Sequence, residues 1–528
     1  MNRFSGLKIL YLLNAIDASL IPSIKESFPQ LHTLGVRLLN PSEILNLADF
    51  PSGIVFHLYE NQPHNKGQFV PAKCSEIASF LTSRQCQIYL YLHERILPPF
   101  WRNRSRKALN FTVPSNIIGL TMWRVAIDMI FIPQMSNGCQ LRYLIAPRCY
   151  LERSMVLYIS KACPFLEELN ILLKQDLSKE KSNSENELSY FPNLKRLTVN
   201  GSVSDDLLFQ LASSGCLLQA QIYNCGNRSS PLHIDIVTDA VVAANPSLEH
   251  LSCGNLVEPD CERKKDNTPG HQCWKQQFQM WHSLKSLSLR PCLQDFKINT
   301  DGLSFIATTR LSLENVMIDS DVFCPVLEML ELLFVTFTHE TAGFTISHSF
   351  RSLSIHDTKH VRHVRHKDRG SSLRLDTLEI RRFADSDDCR WLASMDVKTL
   401  HINYLYSHVD YKQIATTLNS FSSFELLTMC EVYTRTASTL PEKYIADFLK
   451  ALADCRQDQL EKGVCLKPLH YAIRGQEGPP KEALNRAKMR PTADVQLLQN
   501  SHPFLRQRKN RYDENDNCII EWTSETTA

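Results

Sequence analysis

The chain of 528 residues has 58 basic and 56 acidic side chains, and its formal net charge is only +2. This balance excludes a strong overall attraction to nucleic acid or to an anionic membrane, so we expect neither as a partner. The 17 cysteines do not by themselves indicate a secreted disulfide framework, because several occupy apolar positions where a free thiol packs as a small hydrophobe. We therefore predict a cytoplasmic or nuclear protein.

A short phrase recurs at wide, regular distances along the chain. Its copies are FPQL at 28–31, CPFL at 163–166, FPNL at 191–194, NPSL at 245–248 and CPVL at 324–327. In each copy the final leucine begins an L-x-x-L-x-φ run, in which φ is apolar. The gaps between these leucines are 135, 28, 54 and 79 residues, close to whole multiples of about 27, so the phrase marks an internal repeat. Because one strand and its return segment cannot bury an apolar face alone, neighbouring repeats must stack.

The same spacing predicts about seventeen units along the chain. In order, they begin at Leu7, Leu31, Gly53, Gln87, Ile117, Leu141, Leu166, Leu194, Leu217, Leu248, Leu284, Thr308, Leu327, Phe350, Leu375, Val397 and Phe424.

Helical periodicity follows several of these strands, near residues 152–161, 204–215, 235–244 and 411–420. In the second of these segments Ser204 is a capping residue, an apolar stripe includes Leu207 and Leu211, and Gly215 ends the helix. Parallel strands joined by return helices build a curved α/β solenoid with strands inside and helices outside.

Composition divides the chain into three regions. We predict the solenoid over 1–430, with polar loop inserts near 174–190, 258–272 and 359–372. An amphipathic segment that begins at Pro441 predicts a C-terminal capping helix within 431–460, and the polar remainder, 461–528, is expected to be mostly disordered.

The phrases CPFLEELNI and CPVLEMLEL, with their helical return segments, resemble the leucine-rich repeats of F-box proteins, which are of the ribonuclease-inhibitor-like type. The resemblance covers roughly residues 5–430. It implies a leucine-rich-repeat horseshoe with irregular repeats of roughly 22–36 residues. It also implies a substrate-recognition subunit of a cullin-RING (SCF-type) ubiquitin ligase, which holds a protein substrate on the concave face while its F-box docks on an adaptor.

An F-box itself is not evident in this sequence. The nearest match is LNPSEIL at 39–45, which lies between two repeat strands, and we interpret it as a return helix. A match to an elongin-type motif at 247–256 uses leucines of the repeat core. Two explanations for the missing F-box stay open: it was encoded upstream of Met1, or it is absent.

No motif indicates catalysis or a cofactor. The sequence lacks G-x-S-x-G, G-x-x-x-x-G-K-[ST], G-x-G-x-x-G and H-E-x-x-H, so we predict a non-enzyme without catalytic residues. Two groups contain residue types that bind metals: His360, His363 and His366, and a second group of Cys261, His271 and Cys273 with Cys253. Neither has C-x-x-C spacing, so we predict loops without metal, and metal binding by the second insert stays an open question.

The predicted working surface consists of strand side chains that alternate with the buried leucines and point away from the core. The predicted partner-binding residues are Glu168, Asn170, Arg196, Asn200, Arg290, Glu331, His356, Glu379, Arg381, His401 and Asn403. They mix both charge signs with polar donors and acceptors, as protein-binding faces do. Besides the ligase receptor, two alternatives remain: a repeat scaffold in signalling or cytoskeletal assembly, and an extracellular ectodomain with disulfides.

Overall fold

The structure, a computed structural model, describes residues 6–16, 20–38, 54–60, 87–93, 110–112, 117–123, 129–131, 140–173, 191–212, 214–223, 232–257, 281, 284–291, 296–298, 305–347, 349–357, 362–367, 373–383, 389–406, 410–433, 441–473, 481–491, 510–512 and 518–520. The chain forms two compact units, unit 1 over Met1–Phe296 and unit 2 over Lys297–Ala528. The predicted inserts at 174–190 and 258–272 lie outside the described residues, as do the match at 39–45 and the group Cys261, His271 and Cys273.

Unit 1 is a ladder of parallel strands that pair in chain order. The strands of this unit are β1 Ile9–Ile16, β2 Thr33–Leu38, β3 Val55–Glu60, β4 Gln87–His93, β5 Asn110–Thr112, β6 Ile117–Trp123, β7 Met129–Phe131, β8 Tyr143–Leu151, β9 Glu168–Leu173, β10 Arg196–Gly201, β11 Gln219–Tyr223, β12 Leu232–His233, β13 His250–Val257 and β14 Ser286–Pro291. The ladder runs β1–β2–β3–β4–β6–β8–β9–β10–β11–β13–β14. The short strand β5 pairs with β7, and β12 pairs with β13.

The recurrent phrase folds as a tight turn directly before a strand. The leucine N–H donates to the carbonyl oxygen three residues earlier, over 3.2 Å from Leu166 to Cys163 and 3.0 Å from Leu248 to Asn245. The strand that follows alternates buried and partly exposed residues, as in β9, where Leu169 and Ile171 are fully buried. Burial of each such side chain contributes about 1.5–3 kcal/mol, so the stacked leucine positions are the main source of stability.

The helices of unit 1 lie in the return segments. They are α1 Leu20–Ser27, α2 Arg153–Ala162, α3 Asp205–Ala212 and α4 Ile234–Val237, which continues as a π-helix over Thr238–Ala243. The predicted cap is present at α3, where Ser204 Oγ accepts a hydrogen bond from the Leu207 N–H over 3.4 Å. The buried side chain of Asn245 links neighbouring repeats, because its amide donates to the Ala212 carbonyl and its Oδ1 accepts from the Leu217 N–H.

Unit 2 contains a second parallel ladder. Its strands are β16 Arg310–Glu314, β17 Val316–Ile318, β18 Asp321–Cys324, β19 Met329–Leu333, β20 Thr336–Phe337, β21 Gly343–Ile346, β22 Ser352–Asp357, β23 Val364–His366, β24 Leu373–Phe383, β25 Met395–Tyr406, β26 Leu426–Tyr433, β27 Leu469–Ile473, β28 Met489–Pro491, β29 Asn510–Tyr512 and β30 Cys518–Ile520, while β15 Phe296–Ile298 lies at the division between the units. The ladder runs β16–β19–β22–β24–β25–β26–β27–β28. The prediction of stacked parallel strands is confirmed in both units.

Several return segments of unit 2 differ from the prediction of helices outside the strands. They contain short strands instead: β17 pairs with β20, and β21 pairs with β18 on one side and with β23 on the other. The physical reason is local periodicity, because apolar residues in these segments alternate with period two, as Val322 and Cys324 do. These return segments therefore form small parallel sheets of their own.

The predicted solvated loop at 359–372 is wrong for its central residues. Val364–His366 is strand β23, and His363 is buried rather than solvated. Its ring stacks on Phe337 with centroids 3.8 Å apart, and its Nδ1 lies 2.7 Å from the Ala342 carbonyl oxygen. An aromatic partner and a hydrogen-bonded ring nitrogen satisfy this histidine inside the protein.

The helices of unit 2 are α5 Cys389–Leu392, α6 Tyr411–Asn419, α7 Pro441–Glu461 and α8 Lys481–Arg486. The Asp410 carboxylate caps α6 by accepting from the Lys412 and Gln413 N–H groups. Buried Arg456 on α7 donates to the carbonyl oxygens of Lys467 and Ala487, and so joins α7 to the segments that lead into β27 and β28. These two strands lie within the 461–528 region that composition assigns to a tail.

Candidate functional site

The candidate site is the face of the strands opposite the leucine core, which we call the strand face. In unit 2 the residue between the second and third apolar positions of each repeat is aligned across six strands. This central row consists of Ser312, Glu331, Ser354, Glu379, His401 and Thr428. Parallel register places one member of each repeat beside the next, so residues distant in sequence become neighbours.

The centre of this row is a hydrogen-bonded carboxylate network, formed by Ser312, Glu331, Ser354, Glu379, Arg381 and Asn403. Arg381 Nη2 lies 2.9 Å from Glu331 Oε1, and the Ser312 hydroxyl donates to the other oxygen of Glu331 over 2.7 Å. Glu379 accepts from the Ser354 hydroxyl over 3.0 Å and from the Asn403 amide over 2.8 Å. Arg381 Nε is 3.9 Å from Glu379 Oε1, so one guanidinium serves two carboxylates.

Glu379 is the most buried acid of the network, with only 1% of its surface exposed. Burial raises the pKa of its carboxyl above the usual value, and the charge of Arg381 and the hydrogen bonds from Asn403 and Ser354 oppose that rise. The network therefore holds a costly buried carboxylate by surrounding it with donors. Asn403 Oδ1 is buried and has no hydrogen-bond partner among the described residues.

An exposed phenylalanine lies next to this network. Phe334 follows β19, and 42% of its surface is exposed. Its backbone has a φ of 53°, a left-handed conformation that bulky residues rarely adopt. Its ring contacts the predicted residue His356, with ring centroids 4.0 Å apart. Strained backbone and an exposed ring at the same residue are features that recur at binding sites.

The other predicted residue of unit 2, His401, lies in the central row. It is buried, and its Nδ1 forms a hydrogen bond with the Thr428 hydroxyl. The structure thus brings Glu331, Glu379, Arg381 and Asn403 into one network, and it places His356 on β22 and His401 on β25, with β24 between them.

The predicted residues of unit 1 do not form a comparable network. Glu168 and Arg196 are paired across β9 and β10 with 2.6 Å between carboxylate and guanidinium. Asn170 lies on β9 and has a buried Oδ1 without a partner among the described residues, and Asn200 lies near the end of β10. Arg290 lies on β14, in register with Gly254 of β13 and separated from β10 by two strands.

Tyrosines cover glycines on the strand face of unit 1. Tyr11 lies beside Gly35 on the next strand, and a Cβ on that glycine would be 2.1 Å from the tyrosine ring. Tyr89 covers Gly119 in the same way, at 2.3 Å, and its ring centroid is 5.9 Å from that of Tyr143 on the following strand. The absent side chain of glycine leaves room for the ring, so two aromatic rings meet across one strand.

Sequence reasoning missed three kinds of contributors: the hydroxyl donors Ser312, Ser354 and Thr428, the ring of Phe334, and the tyrosine–glycine pairs. The position within the repeat could have identified the three hydroxyl residues, because they occupy the same position in their own repeats as Glu331 and Glu379 do. Nothing in the local sequence signals the backbone conformation of Phe334.

Metal chemistry finds no support in the described part of the chain. No group of three or more His, Cys, Asp or Glu side chains there is arranged to hold a metal ion. Cys253, the fourth residue of the second candidate group, is fully buried in β13, and burial raises its thiol pKa. Within the described residues, none of the helices is long and apolar enough to cross a membrane.

The cysteines that the structure describes are not joined in disulfides. They are Cys163, Cys216, Cys253, Cys324, Cys389, Cys455 and Cys465. Burial raises the pKa of the Cys324 thiol to about 12, so this thiol is protonated and packs as an apolar group.

Comparisons with known proteins do not assign this chain to a family. No family model matches the sequence, and no curated protein matches it. Among solved structures, the chain is similar to a plant peptide hormone receptor, RGFR1 in complex with RGF2, at 15% sequence identity and a TM-score of 0.28, over 86% of this chain and 74% of that chain. The strand registers and side-chain contacts of the chain itself therefore carry the description of its fold and site.

Proposed function

We propose that this chain is a non-catalytic leucine-rich-repeat protein that binds another protein on its strand face. The observation that carries the proposal is the central row of unit 2, where a hydrogen-bonded carboxylate network lies beside the exposed ring of Phe334. Protein interfaces combine an aromatic anchor with polar groups held in fixed positions, and this part of the face has both.

The role that best fits this binding face is substrate recognition in a cullin-RING ubiquitin ligase. This finer proposal rests on the resemblance of the CPFLEELNI and CPVLEMLEL phrases to the repeats of F-box proteins, and it includes a solenoid of about seventeen repeats and a cytoplasmic or nuclear location. In this role the chain supplies recognition, and partner subunits supply the transfer chemistry.

The test is quantitative affinity purification of the tagged full-length chain from cells, with mass spectrometry of the proteins recovered. Phe334→Ala removes the exposed aromatic anchor of the strand face. Phe209→Ala on α3 is the matched control, because 39% of Phe209 is exposed and the residue lies on a return helix. We expect a client protein to be recovered with the wild type and with Phe209→Ala, and to be lost by more than about tenfold with Phe334→Ala.

The composition of the recovered proteins separates the two levels of the proposal. A cullin and its adaptor in every sample, together with a client that depends on Phe334, would support the ligase receptor. Recovery of a client that depends on Phe334, without any cullin, would support the repeat scaffold instead of the ligase receptor. Equal recovery of every partner by the two variants would contradict binding on the strand face.

A further inference from the structure

A second surface of unit 2 belongs to the small parallel sheet of β18, β21 and β23, which is distinct from the main ladder. In this sheet Val322, Phe344 and Val364 are buried, so the residues that alternate with them along each strand point outward. The register aligns Phe323 with Thr345 and Thr345 with Arg365. We call the outward set Phe323, Thr345, Arg365 and Lys367, together with neighbouring Arg362, the basic face.

The described residues offer no carboxylate partner to the cations of the basic face. Within the described residues, Arg362, Arg365 and Lys367 form no ion pair. Elsewhere several exposed cations of the ladders are paired, for example Lys195 with Glu167 at 2.9 Å and Lys285 with Glu249 at 2.6 Å. The cations of this face therefore lack the neutralising partners that the strand edges provide.

Other contacts hold these cations in place. Arg365 donates from its guanidinium to the carbonyl oxygens of Thr341 and Glu340. Lys367 Nζ lies 5.7 Å from the ring centroid of Phe323, over its face. Asp321, the acid on this sheet, accepts a hydrogen bond from the Thr345 hydroxyl over 2.6 Å. These carbonyl and ring contacts hold Arg365 and Lys367 without a carboxylate from the described residues.

An aromatic ring on the same face as Arg365, and beside Lys367, adds an apolar anchor. Phe323 is 37% exposed although its strand neighbours Val322 and Cys324 are buried. Arg365 lies in β23, and Lys367 directly follows that strand. Because the two residues are two positions apart in extended backbone, their side chains project to the same side about 7 Å apart. Carboxylates two residues apart on an extended peptide have the same separation, and guanidinium groups bind carboxylates with charge-assisted hydrogen bonds.

We propose that the basic face binds an acidic extended segment of a partner protein, with carboxylates on Arg365 and Lys367 and an apolar side chain on Phe323. The balanced net charge of the whole chain, +2, does not favour a general polyanion site. This surface is additional to the strand face, and its occupancy does not depend on the ligase role.

The test is fluorescence anisotropy of the full chain with a labelled probe peptide in which glutamate alternates with serine around one central phenylalanine. The controls are the same peptide with lysine for glutamate, a labelled single-stranded oligonucleotide and phosphatidylserine vesicles. The main variant is Arg365→Glu with Lys367→Glu, and the matched control is Lys412→Glu, a charge reversal at an exposed lysine of α6 in the same unit.

We expect the double reversal to raise the Kd of the acidic peptide by on the order of tenfold or more, and Phe323→Ala to raise it about threefold, with weaker binding at higher salt. Because Arg365 also holds a loop through two carbonyls, Lys367→Glu alone is the second variant, with about a threefold loss. The proposal is overturned if Lys412→Glu weakens binding as much as Lys367→Glu. Tighter binding of the oligonucleotide or the vesicles than of the acidic peptide overturns it as well.

Discussion

The buried carboxylate of Glu379 offers the sharpest test of how the strand face is held together. In Glu379→Ala the Ser354 hydroxyl and the Asn403 amide lose the acceptor that they now contact at 3.0 and 2.8 Å. Each hydrogen bond to a charged group contributes about 1.5–3 kcal/mol, and relief from burying the charge offsets part of that loss. We therefore expect Glu379→Ala to lower the free energy of unfolding by about 2–4 kcal/mol.

Glu379→Gln tests the charge separately from the shape. It keeps the volume and one acceptor oxygen, so we expect a loss below about 1 kcal/mol at neutral pH. The folded-state pKa of Glu379 is raised above its usual 4.5. The folded form therefore binds a proton more tightly than the unfolded form, and this contribution to stability is lost as pH rises through the folded pKa. The stability of Glu379→Gln relative to wild type should accordingly increase with pH above about 4.5.

The assay is urea unfolding followed by circular dichroism over a series of pH values. Glu328→Gln is the matched control, because Glu328 is an exposed acid at the edge of the same ladder, and we expect a change within about 0.5 kcal/mol. The reasoning is refuted if Glu379→Ala is as stable as wild type. It is also refuted if Glu379→Gln costs as much as Glu379→Ala, because the loss of charge and not the loss of shape would then set the cost.

Three further predictions concern the supports of the fold. Burial lowers the pKa of His363 below 6.5, so wild type should lose stability relative to His363→Gln as pH falls through about 6.5, measured by thermal unfolding at several pH values; a parallel loss in both proteins would contradict this. Gly119→Ala should cost about 1–2 kcal/mol by pushing on Tyr89, and a double-mutant cycle with Tyr89→Ala should show a coupling energy rather than additivity. Arg456→Ala should cost about 2–4 kcal/mol by leaving two carbonyl oxygens without a donor, and faster hydrogen exchange in β27 would report it; unchanged exchange would remove Arg456 from the support of β27.

Local sequence predicted the strands and failed on some return segments for identifiable reasons. The L-x-x-L-x-φ run sets both a turn and the alternation of a strand, so the phrase at 324–327 directly precedes β19. The segment with Val322 and Cys324 is too short for its period to be distinguished from that of a helix. The horseshoe shape and the number of repeats stay predictions.

The candidate site was predicted as a set of positions and not as a network. Repeat offset alone selected Glu331, Glu379 and Arg381 for the strand face. Their pairing could not be derived in this way, because Arg381 and Glu331 are 50 residues apart and meet only through the stacking of β19, β22 and β24. Ser312 and Ser354 occupy the same position in their own repeats. That their hydroxyls donate to Glu331 and Glu379 can be inferred only once the register between the strands is known.

The sequence by itself determined that repeats with apolar residues at fixed spacing must stack to bury those residues away from water. It also marked where each repeat begins, because the hydrophobic effect acts on a pattern that is present within each unit. The tertiary structure decided which polar residues of different repeats meet, that His363 stacks on Phe337 inside the protein, and that Arg365 and Lys367 form no ion pair with other described residues. Such contacts depend on the register between strands far apart in the chain, and a few ångströms of register decide whether charges pair or remain exposed.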